Sequence, residues 1–297
     1  MASLRETKDR INSVRSTLKI TSAMKLVASA KLRKAQRAIE ALRPYERLMA
    51  SILAALPATA QGSAVQEAEV ADGFFPMDPA ATPGRTAIVA IASNSSLCGG
   101  FNANVIRKAL QVAGECDGKV EVHSLGRKMA EAMKRAGYPS PDDYADLVAH
   151  TTYEKTTALA RSLAERFEKG ELKGVTLVYT HFVTSSHLEV VAEQYLPFVP
   201  EVSGAAGVET SGAVEDYIIE PSPEEVAGQM LPQLMMLKFY AAVLDSEAAE
   251  HAARTIAMQT ASDNAEDLLG ELTLEYNKGR QQKITAEILD LVGGSRE

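Results

Sequence analysis

The stretch that decides the fold is residues 4–56, LRETKDRINSVRSTLKITSAMKLVASAKLRKAQRAIEALRPYERLMASILAAL. Apolar residues recur in it every seven positions, and a second set of small or apolar residues stands three places after each of them. The two sets are Leu4, Ile11, Leu18, Leu32, Ile39, Leu53 and Thr7, Val14, Thr21, Ala28, Ala35, Leu42, Met49, Leu56. Lys25 and Glu46 interrupt the first set. A seven-residue repeat sustained for roughly eight repeats is typical of a coiled-coil helix, which Pro44 is expected to bend or divide locally.

A second long helix is predicted near the other end of the chain, from Pro223 to Asp290. Its apolar residues follow three-and-four spacing in two runs, with alanines between the runs. These residues are Val226, Met230, Leu234, Leu237, Ala241, Leu244, Ala248, then Ala252, Ala253, Ala257, Ala261, Ala265, then Leu268, Leu269, Leu272, Tyr276, Ile284, Ile288, Leu291. Pro232 and Gly270 mark expected bends. Because a narrow apolar seam cannot be buried against itself, the two long helices are expected to pair antiparallel.

Between the helices the sequence changes character twice. Residues 57–83 are rich in Ala, Gly and Pro and have no sustained period, which is typical of a linker. From residue 84 short apolar runs alternate with helical segments. The predicted strands are Thr86–Ser93, Lys119–Leu125, Val175–Thr184, Leu188–Phe198 and Asp216–Glu220, and the predicted helices are Ala103–Val112, Lys128–Ala136 and Thr156–Phe167. This alternation indicates a mostly parallel sheet covered by helices.

The fold class predicted from these patterns is α/β. We expect a long antiparallel coiled coil of the N- and C-terminal helices with an inserted Rossmann-like α/β domain. The expected domains are an N-terminal coiled-coil helix at 1–56, a linker at 57–83, an α/β domain at 84–220 and a C-terminal coiled-coil helix at 221–297.

The charge is unevenly distributed along the chain. Residues 1–47 carry 12 basic and 4 acidic side chains, although the whole chain has a formal net charge of −8. The basic segment could be a nucleic-acid arm, a membrane-surface helix or a docking surface for an acidic protein; a solvated coiled-coil face is the plainer reading. Residues 1–44 contain no aromatic side chain for stacking on bases, and the seam is too narrow for membrane insertion. A protein partner is therefore favoured, and neither nucleic-acid binding nor direct membrane insertion is expected.

The segment LCGGFN at residues 97–102 is the best enzymatic candidate, since a thiol or a bound phosphate could use the start of the following helix. The plainer interpretation of this segment is a Gly-Gly turn after a strand. No phosphate-binding or nucleophile-elbow motif occurs, and the five histidines are not spaced as metal ligands. We therefore expect no catalytic, cofactor or metal site, with an enzyme dependent on Cys98 as the alternative.

Three segments resemble one family, the gamma subunits of F-type ATP synthases. The opening helix at residues 10–34 (RINSVRSTLKITSAMKLVASAKLRK), the turn at residues 98–102 (CGGFN) and the closing helix at residues 263–287 are similar to those of the family and occur in the same order. Ser95 and Ser96 depart from the Asp-Arg-Gly-like sequence of many relatives, and Gly279 stands where Ala is commoner. A glycine there weakens the helix by about 1 kcal/mol.

The resemblance implies contact roles and no catalytic ones. Met24 and Lys25 match the segment beside the acidic lever loops of the beta subunits, and a basic face extends from them. One part of the closing helix would meet the catch loops of the ring, and its tip would be held in the ring's upper bearing. The foot would face the epsilon subunit and the membrane ring. The basic face extends through Lys31, Arg33 and Lys34. The catch-loop residues are Arg254 and Gln259, the upper-bearing residues are Arg280, Thr285 and Glu287, and the foot residue is Glu220.

As a family member, the chain would be the central rotor shaft that couples proton flow to ATP synthesis or hydrolysis in a ring of alpha and beta subunits. It would contact the epsilon subunit and the membrane c-ring and carry no cofactor. Residues 1–10 alternate in charge and contain Glu6 and Asp9, unlike a signal or transit peptide. A peripheral position on the cytoplasmic side of a bacterial inner membrane is therefore expected.

Overall fold

The structure is a computed structural model that describes residues 4–55, 84–116, 118–198 and 219–294. The helices are α1 (Leu4–Ala55), α2 (Phe101–Glu115), α3 (Arg127–Arg135), α4 (Ala145–Ala149), α5 (Tyr153–Glu168) and α6 (Pro223–Gly294). The strands are β1 (Arg85–Ile91), β2 (Val120–Leu125), β3 (Leu172–Phe182) and β4 (Leu188–Leu196). The chain divides into unit 1, Met1–Ala30 with Arg254–Glu297, and unit 2, Lys31–Ala253.

Helix α1 buries the seven-residue repeat that the sequence shows. The repeat residues with less than a tenth of their surface exposed are Thr7, Ile11, Thr21, Ala28, Leu32, Ala35, Ile39, Met49 and Leu53. The helix continues through Pro44, so it is not divided there, and the expected alternative, a bend at this proline, stays a prediction. Helix α6 likewise continues through Pro232.

In unit 2 the sheet has the strand order β2-β1-β3-β4. Strand β1 is parallel to both β2 and β3, while β4 runs antiparallel to β3. Alternate residues of β1 enter two separate cores. Ile88 and Ala90 pack with residues of α2 and α3, whereas Val89 and Ile91 pack with residues of α1, α5 and α6. The sheet is thus covered on both faces, as parallel sheets usually are.

The turn between β2 and α3 depends on a glycine. Gly126 has φ +96°, and a Cβ at this position would lie 2.2 Å from the backbone oxygen of Ala92. Side chains other than hydrogen are therefore excluded by both the dihedral angle and the space. This close approach places the start of α3 against the end of β1, where the Lys128 amide donates to the Ser93 carbonyl at 3.1 Å.

The predicted fold class is confirmed, with long terminal helices and a central mixed sheet. Helix α4 was not predicted. Of the predicted strand Asp216–Glu220, residues 216–218 lie outside the described residues, and residues 219 and 220 are not in a strand. The predicted linker at 57–83 also lies outside the described residues. The domain boundaries drawn from the sequence stay predictions.

Candidate functional site

The helices of unit 1 pack side by side in opposite directions. Leu4 lies against Gly279, since a Cβ added to this glycine would be 3.2 Å from Leu4 Cδ2. Farther along α1, the Thr21 hydroxyl is 2.9 Å from that of Ser262. Advancing 17 residues along α1 thus corresponds to retreating 17 residues along α6. The equal spacing is that of an antiparallel helix pair in regular register.

Two predicted contact residues meet in this pair. Lys25 Nζ donates to Gln259 Oε1 at 2.6 Å, and Gln259 Nε2 donates in turn to Asp263 Oδ1 at 2.5 Å. Met24, beside them in sequence, is half-buried. The Lys25 ammonium is therefore held at a fixed place on the surface of the pair, close to the carboxylate-bearing turn of α6.

Three further basic residues that were predicted as contacts lie on the part of α1 that belongs to unit 2. Lys31, Arg33 and Lys34 are all exposed. Burial raises the pKa of Glu247 on α6, while Lys34 and Lys31 act in the opposite direction by their positive charge. The two lysines thus lie near one carboxyl group of this chain. Since their side chains are exposed, they can also meet an acidic group from outside.

The predicted contact residues of the closing helix are distributed along α6. Arg254 is half-buried and Arg280 is exposed. Thr285 Oγ1 donates to the Gln281 carbonyl at 2.9 Å. Glu287 Oε1 lies 3.7 Å from Lys283 Nζ, one turn earlier. The side chains of Thr285 and Glu287 therefore interact within the helix itself.

Large apolar side chains are exposed on both helices of unit 1. Every residue from 281 to 289 is exposed. The exposed apolar residues of unit 1 are Ile20, Leu26, Val27, Ile256, Leu268, Leu274, Ile284, Ile288, Leu289 and Leu291. Leu291 keeps 75% of its surface exposed and Leu26 68%. Ile284, Ile288 and Leu291 are four and three residues apart and therefore lie on one face of α6. An exposed apolar stripe marks an interaction surface more often than single exposed apolar residues do.

Glu220, the predicted foot contact, is exposed just before α6. Ser222 Oγ accepts a hydrogen bond from the Glu225 amide at 3.2 Å, as an N-cap does. Glu220 therefore lies just before the N-cap of α6, and its carboxylate can contact solvent or a partner.

The LCGGFN segment forms a closed turn around Cys98. Asn102 Oδ1 accepts from the Ser93 amide at 3.1 Å and from Ser93 Oγ at 2.9 Å, while Asn102 Nδ2 donates to Cys98 Sγ at 3.2 Å. The Cys98 residue is 1% exposed and packs with Phe101 and Ala249. A thiol buried in this way cannot reach a substrate, so the alternative of a Cys98 enzyme has no geometric support.

Two polar clusters of unit 2 were not predicted. Arg166 donates to both carboxylate oxygens of Glu121, at 2.7 and 2.9 Å. This hydrogen bonding holds the pKa of Glu121 below its ordinary value. In the second cluster His181 Nδ1 hydrogen-bonds Asp245 Oδ2. Both pairs join residues more than forty positions apart, and no local sequence signal could have shown them.

The described ranges, 4–55, 84–116, 118–198 and 219–294, hold no cluster of three or more His, Cys, Asp or Glu side chains able to bind a metal ion. Over the same ranges, no helix is long and apolar enough to cross a membrane. The fold and its surfaces define a class of protein built on two long paired helices, whose distinctive feature is an exposed basic and apolar interaction surface.

Comparison with known proteins narrows this class to one family. The sequence profile of the family described as ATP synthase matches residues 3–296. The ATP synthase gamma chain of Bacteroides fragilis (strain YCH46) is 46% identical over 300 residues, covering 99% of each chain. The gamma chain of Flavobacterium johnsoniae is 39% identical over 299 residues, covering 99% of this chain and 98% of its own.

Solved structures show the same fold. A chain of the Euglena gracilis mitochondrial ATP synthase (OSCP/F1/c-ring, rotational state 3) matches with a TM-score of 0.61 and 18% identity, over 99% of this chain and 93% of that one. A chain of the Tetrahymena thermophila mitochondrial ATP synthase (central stalk/c-ring) matches with a TM-score of 0.55 and 22% identity, over 82% of this chain and 99% of that one. The chain belongs to the family of ATP synthase gamma chains, the central rotor shafts of F-type ATP synthases.

Proposed function

We propose that the helix pair of unit 1 turns inside a ring of alternating alpha and beta subunits, and that the chain has no catalytic site of its own. The observation that supports this most is the exposed apolar set on both helices of the pair. Burying a fully exposed leucine or isoleucine gains about 1.5–3 kcal/mol, and the exposed ones of unit 1, which keep 38–75% of their surface exposed, gain part of this when a partner covers them. A surrounding ring would cover both helices at once, including residues 281–289 of α6.

The charged residues define how the shaft acts on the ring. Lys25, held by Gln259, and the exposed Lys31, Arg33 and Lys34 face the acidic lever loops of the beta subunits. Because these groups lie on α1 and not on α6, the rotating shaft presents a different face to each beta subunit. Sites of different nucleotide affinity would then follow one another around the ring. The basic contacts stay near the surface, where solvent and salt screen them, and this allows sliding.

The remaining subunit contacts follow the same assignment. Arg254 and Gln259 meet the catch loops of the ring, and Arg280, Thr285 and Glu287 meet its upper bearing. Glu220 and the α/β domain of unit 2 meet the epsilon subunit and the membrane c-ring. Proton flow drives the rotation of this ring. The complex would lie with this chain on the cytoplasmic side of a bacterial inner membrane. Bacterial relatives up to 46% identical over nearly the whole chain support this placement.

The test is ATP turnover by purified alpha and beta subunits with and without this chain, with the chain alone as a control. We expect sustained turnover and a single large complex only in the complete mixture. A mixture that forms no complex with its cognate subunits contradicts the proposal, and so does ATP turnover by the chain alone.

A matched pair of variants locates the covered surface. Ile288→Asp places a charge in the exposed apolar set, whereas Gln282→Asp places one at an exposed polar position of the same helix. We expect Ile288→Asp to weaken assembly by roughly tenfold, since a charge replaces an apolar contact, and Gln282→Asp to leave assembly near wild type. Equal effects of the two variants would show that this end of α6 is not covered.

A further inference from the structure

A short segment between α3 and α4 lies against β2, the outermost strand of the sheet on one side. Residues 139–144, the edge segment, belong to no helix or strand, and four of its six residues are exposed. Ser140 Oγ accepts a hydrogen bond from the Ser124 amide of β2 at 3.2 Å. The edge segment thus takes up a backbone group that β2, as an outermost strand, would otherwise offer to solvent.

A second contact joins the edge segment to β2 through two side chains. The Tyr144 hydroxyl is 3.0 Å from His123 Nδ1, and the two rings lie 5.7 Å apart. The Tyr144 ring is also partly buried against the core that α1, α5 and α6 share. Within the edge segment, Ser140 Oγ donates to the Asp142 carbonyl at 2.8 Å. A surface segment with so few contacts to the core opens at a lower free energy than the sheet itself unfolds.

The surroundings of His123 fit a neutral imidazole. Its side chain keeps 4% of its surface exposed, and Nε2 lies 3.0 Å from Glu121 Oε1. A carboxylate oxygen only accepts, so Nε2 carries the proton of the neutral ring and Nδ1 accepts from the Tyr144 hydroxyl. Both oxygens of Glu121 already accept from Arg166. One buried carboxylate therefore balances one guanidinium.

A second proton on His123 upsets this arrangement. Nδ1 can then no longer accept from Tyr144, whose hydroxyl proton must turn to Asp142 Oδ2, 3.3 Å away. An imidazolium would also lie beside the Arg166 guanidinium, with one carboxylate for the two cations. A buried charge without a partner of its own is costly, and opening the edge segment would expose it to water.

Charged groups from several elements act on His123. Burial lowers its pKa, and the charge of Arg166 acts in the same direction, although two carboxylates oppose them. The groups are Glu121 on β2, Arg85 on β1 at 3.8 Å from Glu121, Arg166 on α5, Asp142 in the edge segment and, on α4, Asp146, which pairs with Lys155. The closed structure thus favours the neutral ring.

We propose that the edge segment is an acid-released latch, which stays closed over β2 while His123 is neutral and opens when His123 binds a proton. Closure is complete above the pKa of a solvated histidine and is lost as pH falls through it. Opening frees the Ser124 amide at the edge of β2 and leaves the remainder of the sheet paired. The latch does not rest on the rotor function, since it lies wholly within the α/β domain.

Hydrogen exchange of the full-length chain tests the latch. Mass spectrometry of peptides that cover residues 120–125 and 138–144, corrected for the intrinsic effect of pH on exchange, gives the opening equilibrium at pH about 7.5 and about 5.5. A solvated histidine with a pKa of about 6.5 binds a proton across this range, so the opening constant should rise roughly tenfold. Peptides of β1 and β3 should keep their protection.

Two variants and one control identify the group that responds. His123→Gln, which binds no proton, should abolish the pH response, whereas His150→Gln, at an exposed histidine just after α4, should keep it. Tyr144→Phe should open the same peptides roughly fivefold more at pH about 7.5, because one hydrogen bond is lost.

Equal opening of the wild-type chain at the two pH values overturns the latch, and so does a pH response that persists in His123→Gln. Acid opening that spreads equally to β1 and β3 also contradicts it, since this would be general unfolding. If His123→Gln fails to fold, Tyr144→Phe still decides, because wild-type opening in that variant would show that the contact with His123 does not hold the edge segment closed.

Discussion

A buried polar contact in the seam of the helix pair provides a prediction that can be worked out atom by atom. Thr21 Oγ1 donates its proton to the Leu18 carbonyl at 3.0 Å, so Ser262 Oγ must donate in the 2.9 Å contact between the two hydroxyls. Both residues are at most about a tenth exposed. Thr21→Val keeps the side-chain shape and removes the acceptor of Ser262.

The expected magnitudes follow from leaving one partner unpaired. Thr21→Val should lower the free energy of unfolding by about 1 kcal/mol, and Ser262→Ala, which leaves Thr21 bonded to the Leu18 carbonyl, should lower it by about 0.5 kcal/mol. The double variant should return to within about 0.5 kcal/mol of wild type, because no buried hydroxyl is then left without its partner. The coupling between the two positions is therefore about 1 kcal/mol or more.

Urea unfolding of the full-length chain, followed by helical circular dichroism, measures the four free energies. Hydrogen exchange of the amides around Thr21 and Ser262 shows that the change lies in unit 1. Effects of the two single substitutions that simply add in the double variant would refute the reasoning, since they would mean that the hydroxyls do not interact.

Three further outcomes are expected. Burial raises the pKa of Glu46, so its protonated form stabilises the fold at acid pH, and this contribution is lost as pH rises through the folded-state pKa. Glu46→Gln should therefore raise the melting temperature at pH 8 more than at pH 4. Glu40→Gln, at an exposed position of the same helix, should not show this difference. Gly270→Ala should stabilise α6 by about 1 kcal/mol in urea unfolding, because nothing lies within 4 Å of the added Cβ, and unchanged or lower stability would contradict this. Arg166→Leu should cost about 2 kcal/mol by removing both hydrogen bonds to Glu121, and a thermal shift near zero would show that the pair is dispensable.

The long helices could be predicted because their signal is local and repeated. Positions such as Ile11, Ala28, Leu32 and Ile39 recur every seven or three-and-four residues, and each is buried in the structure. A seven-residue repeat of this length predicts a helix, and it also predicts a second helix packed against it, because a narrow apolar seam must be buried against a partner. The contact between Lys25 and Gln259 follows from the antiparallel register, although the sequence alone does not show which residues are opposite each other.

The four strands of the sheet were predicted, but their order in the sheet was not. Only five residues, 183–187, separate β3 from β4, and a connection this short permits an antiparallel pair alone. The polar pairs of unit 2 lie beyond sequence reasoning for a different reason. Asp245 resembles any other acidic residue of a long helix until the fold brings His181 of the sheet against it.

The measurement that tests the central claim most directly is rotation of single molecules. A probe would be attached through Ser185→Cys, in the exposed hairpin between β3 and β4, after Cys116→Ser removes the half-buried natural thiol. With alpha and beta subunits fixed to a surface, the probe should turn in one direction when ATP is added and stop when ATP is removed. A complex that hydrolyses ATP while the probe stays still, or moves without direction, would contradict the account.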